Sequence, residues 1–126
     1  MKAAYIDSSC LVAIEFAEPK GMALRRRIRG FEHLLSSNLL EAELRAAFAR
    51  EGQAGDPATL SSVSWVLPDR PLSVEIQRVQ AAGYLCGSDT WHLATALFVS
   101  PDPTALTFLT LDSRQREIAR AIGFSV

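Results

Sequence analysis

The chain has 126 residues, a formal net charge of −1, 48% hydrophobic residues and 21% charged ones. This length fits one domain, spanning 1–126, and the balance excludes both a disordered chain and a globally basic, nucleic-acid-coating surface. No apolar run reaches the roughly 18 residues of a membrane span, because Asp7 and Glu15 interrupt the first one, so a cytoplasmic protein without a membrane partner is expected.

Residues 2–7 (KAAYID) read as a short buried strand, and 8–17 as a helix that stops before Pro19, since the residue preceding a proline is pushed out of the α region. Residues 20–30 are a second predicted helix closed by Gly30, 31–37 contain a brief strand, and 38–51 carry the clearest helical pattern. GQAGDP (52–57) is a break, and a helix is predicted from there through Trp65. PDRP (68–71) is a turn, 73–82 a helix, GYLCGS (83–88) a loop, and 88–100 a helix that PDP (101–103) ends. TALTFLTL (104–111) is the strongest strand signal, rich in β-branched and aromatic residues. Residues 112–123 form a last predicted helix ending on Gly123, and FSV offers one more short strand. Strands alternating with helices predict an α/β fold, a short parallel sheet of four to five strands with helices on both faces.

Cys10 and Cys86 have neither zinc-site nor disulfide spacing, which fits a reducing compartment. Eleven of the thirteen basic residues are arginine, and Arg25, Arg26, Arg27 and Arg29 crowd one segment. That cluster is either a solvated helix face or a set of planar contacts for phosphate or carboxylate.

The acidic residues occupy telling places. Asp7 ends the first strand, Asp112 follows the TFLTL strand, Asp89 begins a helix, and Glu41 and Glu43 lie in the first turns of another. In a parallel sheet, strand C-termini and helix N-termini share an edge. Capping competes as an explanation: Asp112 with Gln115 forms an Asp-x-x-Gln box, Asp7 can cap the helix after it, and Ser88 or Asp89 can cap the third. Asn38 and Glu41 also have capping-box spacing, which would occupy Glu41 and leave Glu43 free, although periodicity alone does not choose between the two. Asp89 shares a face with Leu93, Ala96 and Leu97 on a helix that is apolar nearly all round, where a carboxylate must be paired, protonated or bound to a cation.

Two unit charges about 4 Å apart repel by roughly 4 kcal/mol at an effective dielectric near 20, so four converging carboxylates require a compensating cation. Oxygen-only donors select a hard ion, Mg²⁺ or Mn²⁺. Such an ion keeps waters, one of which can attack a phosphodiester while the metal offsets charge on the leaving oxygen.

The stretches YIDSSCLVAI, SSNLLEAELRAAFAR, GSDTWHLATAL and FLTLDSRQREIARAIGF resemble, in order and across nearly the whole chain, the motifs of PIN-domain nucleases, specifically VapC-type toxins of toxin–antitoxin pairs. The resemblance implies an Mg²⁺-dependent endoribonuclease that forms a homodimer and is inhibited by a cognate antitoxin. It matches Asp7, Glu43, Asp89 and Asp112 to the metal-binding acids and Ser9 to a supporting hydroxyl. Leu111 before Asp112 departs slightly from the family's usual turn, and Glu41 competes with Glu43.

Thr110 and Ser113 flank Asp112 as supporting hydroxyls that either orient it or bind phosphate, with helix capping as the competing explanation. His92, three residues after Asp89, is either a satisfied structural histidine or a partner for a carboxylate or substrate. Arg114 and Arg116 are the candidates for RNA phosphate contacts. His33 is expected at the surface, and Trp65 and Trp91 in the core or an interface. Two other readings compete: a catalytically silent PIN-fold module that binds RNA or protein, and a phosphorylatable receiver. The receiver requires adjacent acids after its first strand and a late strand-end lysine, whereas Ser8 follows Asp7 and the only lysines are Lys2 and Lys20.

Overall fold

The computed structural model describes residues 2–53 and 57–126. Four strands, β1 (Ala3–Ile6), β2 (His33–Ser37), β3 (Val63–Val66) and β4 (Thr107–Leu109), form one parallel sheet in the order β3-β2-β1-β4. The helices are α1 (Ser8–Glu15), α2 (Gly21–Ile28), α3 (Leu39–Arg50), α4 (Ser73–Ala82), α5 (Gly87–Val99) and α6 (Ser113–Ile122). The C-terminal residues extend the sheet past β4 by a parallel bridge between Thr107 and Ser125, with Phe108 N–H donating to the Ser125 carbonyl at 2.8 Å. The expected α/β architecture is therefore present, including the short pairing offered by FSV.

Alternation along β1 divides the core. Ala4 and Ile6 pack with Cys10, Leu11, Leu40, Leu44 and Leu109 on the α1–α3 face. Tyr5 points the other way, into a cluster with Leu93, Val79, Phe108 and Ile118 on the α4–α6 face. Both faces are covered, which explains why the strands are apolar throughout rather than alternating with polar residues. Strand order reverses direction at β1: β2 and β3 lie on one side and β4 on the other. The crevice beyond the carboxyl ends of β1 and β4 is thus the topological switch point, the place where such sheets bind ligands.

Several element boundaries differ from the sequence reading. The helix expected through Trp65 is instead a 3-10 turn at Ala58–Ser62 followed by β3. Val63, Trp65 and Val66 favour an extended chain, and the free edge of β2 supplies the hydrogen bonds that a helix would otherwise make internally. Part of the predicted 52–57 break lies outside the described residues. The strand expected over 104–111 shrinks to three residues, because Asp102 Oδ1 accepts both the N–H and the hydroxyl of Thr104 and winds Pro103–Ala105 into a 3-10 turn. Gly30 does not close α2 in a left-handed conformation; its N–H bonds the Arg27 carbonyl at 3.1 Å in a tightened last turn. Gly123 does end α6 as expected, at φ 122°. Among the described residues no helix is long and apolar enough to cross a membrane.

Candidate metal and active site

Asp7 stands one residue beyond β1, with extended backbone at φ −93° and ψ 175°. It holds the N-cap position of α1, but its side chain caps nothing, contrary to the capping expectation. Hydroxyls take both carboxylate oxygens instead: Ser9 Oγ donates to Oδ1 at 2.6 Å and Thr110 Oγ1 to Oδ2 at 3.0 Å. Each of these hydroxyls also accepts a backbone N–H from the chain leaving β4, Leu111 into Ser9 and Asp112 into Thr110, both at 3.0 Å. An amide therefore polarises each hydroxyl and leaves its hydrogen for Asp7, which ties the ends of β1 and β4 together. Ser9 bonds the acid beside which it was expected, whereas the Thr110 hydroxyl, expected to act at Asp112, is directed at Asp7.

The Asp7 carboxyl is 3% exposed. Burial pushes its pKa up, and the charge of Asp89 adds to the rise, while the Ser9 hydroxyl, nearby His92 and the Thr110 hydroxyl oppose it. Asp89 is hence close enough for its charge to be felt at Asp7. It is the third residue of α5 and caps nothing; the N-cap position belongs to Cys86, which makes no side-chain cap bond either. The expected cap by Ser88 or Asp89 does not form. Gln115, completely buried on α6, reaches the Asp89 carbonyl through Nε2 at 3.4 Å.

Asp112 behaves as half of the expected box. Its Oδ1 accepts the Gln115 N–H at 2.8 Å at the start of α6, but the Gln115 side chain turns toward Asp89 rather than back to Asp112. Asp112 stands exposed above the crevice.

Two residues apart on α3, Glu41 and Glu43 project about 200° from each other. Asn38 makes no side-chain cap, so the expected Asn38–Glu41 box is absent; Glu41 pairs with Arg45 at 2.7 Å on the exposed side. Glu43 faces α5, where its Oε1 lies 2.6 Å from His92 Nε2. His92 is 1% exposed, and its Nδ1 lies 2.7 Å from the Tyr5 hydroxyl. It is thus both a satisfied buried histidine and the partner of a carboxylate.

The two candidate arginines part company. Arg116 donates to the Thr110 carbonyl at 2.8 Å and, with Lys20 and Arg27, lines a cleft of about 250 Å³ beside Thr110 and Leu111. Arg114 is exposed and paired with Glu117 at 3.4 Å. Trp91 Nε1 donates to Ser37 Oγ at 2.9 Å and packs against the core, whereas Trp65 stands 36% exposed on β3. His33 is exposed, as expected.

Sequence reasoning missed Tyr5, Ser37 and Gln115. Tyr5 had a usable signal, since in an extended chain it lies two residues before Asp7 and on the same face. Gln115 has in the sequence only the spacing of a capping partner, and Ser37 belongs to the Ser-containing strand end before Glu43 without a role of its own.

The donor set is chemically suited to a hard divalent cation. Its oxygens are carboxylate and hydroxyl, Asp7 is held by neutral donors with no bonded Lys or Arg, and the buried Gln115 Oε1 has no hydrogen-bond donor among the described residues. As the side chains stand, no three His, Cys, Asp or Glu groups among the described residues are close enough together to hold one ion.

The PIN domain profile matches residues 4–121. The chain is 32% identical, over 131 aligned positions covering all of it and 97% of the relative, to Ribonuclease VapC46 of Mycobacterium tuberculosis. No solved structure matches.

Proposed function

The chain belongs to the PIN-domain family, on its VapC ribonuclease branch, and from this we propose that it is the endoribonuclease toxin of a toxin–antitoxin pair, dependent on Mg²⁺ or Mn²⁺. The observation that carries the reading is Asp7: a buried carboxylate at the switch point, oriented by two hydroxyls, made more basic by burial and by Asp89, and with no bonded Lys or Arg among the described residues. In this reading 1–126 is one PIN domain, Asp7, Glu43, Asp89 and Asp112 hold one or two ions, and a phosphodiester of RNA is hydrolysed. When bound, the ion supplies Lewis acidity, lowering the pKa of a water and offsetting charge on phosphate oxygens.

The chain's own residues supply orientation. Ser9 and Thr110 fix both oxygens of Asp7, so that its direction is set before the cation arrives. The Asp112 cap fixes Oδ1 and leaves Oδ2 for the site. Arg116, braced on the Thr110 carbonyl, has further N–H groups to offer a phosphate, and Lys20 and Arg27 continue the basic wall away from the acids. Arg114 is the weaker of the two arginine candidates because Glu117 engages it. A homodimer, a cognate antitoxin and a cytoplasmic location complete the reading on family grounds, and the unpaired Cys10 and Cys86 are compatible with that location.

A silent PIN-fold binding module is the competing reading, favoured by the absence of a closed three-acid cage among the described residues. The test is cleavage of single-stranded RNA with Mg²⁺, with and without chelator, by wild type and Asp7→Asn. Chelator-sensitive cleavage that vanishes in a folded Asp7→Asn protein is expected. RNA binding without cleavage would instead favour the silent module.

A further inference from the structure

Glu43, on α3, is anchored by a chain of buried groups drawn from three other elements. Ser37 N–H at the end of β2 donates to the Tyr5 hydroxyl at 3.0 Å; that hydroxyl lies 2.7 Å from His92 Nδ1, and His92 Nε2 lies 2.6 Å from Glu43 Oε1. Tyr5, Ser37 and His92 are at most 1% exposed. Tyr5 is further held by stacking on Phe108, with ring centroids 5.3 Å apart and planes 8° from parallel, and its edge meets His92 at 71°. The ring therefore has little freedom to move its hydroxyl.

Donor counting gives the chain a direction. An ionised carboxylate has no hydrogen, so the 2.6 Å contact requires one on His92 Nε2. In a neutral imidazole Nδ1 is then bare and takes the Tyr5 hydrogen, while the Tyr5 oxygen takes the Ser37 amide hydrogen. Every contact in the chain then has one hydrogen and none has two. Glu43 Oε2 makes no hydrogen bond among the described residues, so it is the oxygen left for another ligand.

We propose that Tyr5 and His92 are positioning residues for Glu43: the directed chain Ser37 to Tyr5 to His92 holds Oε1 and presents Oε2 to the cation of the site. This rests on the ribonuclease reading for the identity of the ligand, but not for the hydrogen-bond chain itself. A ligand's outer partners of this kind typically change metal affinity or activity by about 10–100-fold. Truncating His92 is expected to fall in that range, and removing the Tyr5 hydroxyl at its lower end.

The test uses the full chain. In nitrogen-15 spectra of the metal-free wild type, His92 should show a protonated Nε2 and a bare Nδ1, and Tyr5→Phe should shift the Nδ1 resonance as that nitrogen loses its hydrogen bond while Nε2 stays protonated toward Glu43. Mn²⁺ affinity, measured by calorimetry, should weaken about 10–100-fold in His92→Leu, with His92→Gln recovering part of the loss through its side-chain N–H. The same order is expected in kcat, with KM little changed. A hydrogen on Nδ1 in the wild type would overturn the proposal, as would Mn²⁺ affinity in Tyr5→Phe and His92→Leu equal to that of wild type. A wild type with the expected tautomer but no Mn²⁺ binding would instead remove the metal reading, and with it the presentation of Oε2.

Discussion

At the scale of single residues, Asp7 concentrates the conflict between folding and chemistry. Its raised pKa means that the folded protein holds this proton more tightly than the unfolded chain does, where an aspartate titrates near about 3.9. Between that value and the raised native one, the folded state carries the extra proton, so stability declines as pH rises through this window. Urea midpoints of the metal-free protein should therefore drop across it, whereas Asp7→Asn should give a flatter profile and a more stable protein above it. Identical pH profiles for the two would show that the Asp7 environment is better compensated than its burial and its hydroxyl partners indicate. Deleting the Thr110 methyl and keeping its hydroxyl (Thr110→Ser) should preserve activity, while Thr110→Val should cost about 10–100-fold by releasing Oδ2 and the Asp112 amide together.

At the scale of elements, α6 begins with an N-cap, Asp112, to which the proposed function also gives a place at the cation. Asp112 caps the helix through Oδ1, and the sequence spacing predicted that cap. Asn is as good an N-cap as Asp, whereas Ala costs about 1 kcal/mol. Asp112→Asn should thus leave thermal stability nearly unchanged while removing metal-dependent cleavage, and Asp112→Ala should lose both. Calorimetry beside an RNA cleavage assay separates the two roles, and cleavage by Asp112→Asn at the wild-type rate would reduce Asp112 to a cap. The helix α3 offers the contrasting case. Glu41 and Glu43 read alike as residue types on the border of an apolar stripe, yet one faces Arg45 and solvent and the other faces α5.

At the scale of the whole molecule, charge is arranged rather than abundant. The net charge is −1, but Lys20, Arg27 and Arg116 share one cleft next to Thr110, whose hydroxyl bonds Asp7. An RNA backbone lying in that cleft would release counterions, with a salt dependence of roughly 0.7 per phosphate contact for a single strand. In an Asp7→Asn background, which prevents cleavage, Arg27→Ala and Lys20→Ala should each lower the slope of log affinity against log salt by about that amount. Unchanged slopes in filter binding would take the strand out of this cleft.

What the sequence determined by itself was local. Apolar runs and breaks at Pro and Gly marked α1, α4, α5 and α6 closely, and the positions of Asp7, Asp89 and Asp112 at element ends followed from those same boundaries. These features are decided by the nearest few residues, through backbone sterics, capping and the side-chain period of a helix or strand. The tertiary structure alone decided that 63–66 pairs with β2, that Glu43 rather than Glu41 meets His92, and that Asp7 receives hydroxyls instead of capping α1. It also separated Arg116 from Arg114 and recruited Tyr5. Each of those outcomes depends on a partner far along the chain, such as Thr110, 103 residues from Asp7, or His92, 87 residues from Tyr5. A hydrogen bond discriminates over tenths of an ångström, and periodicity reports only which side of an element is buried, so the choice of partner waits on the packing of the sheet and its two helical layers.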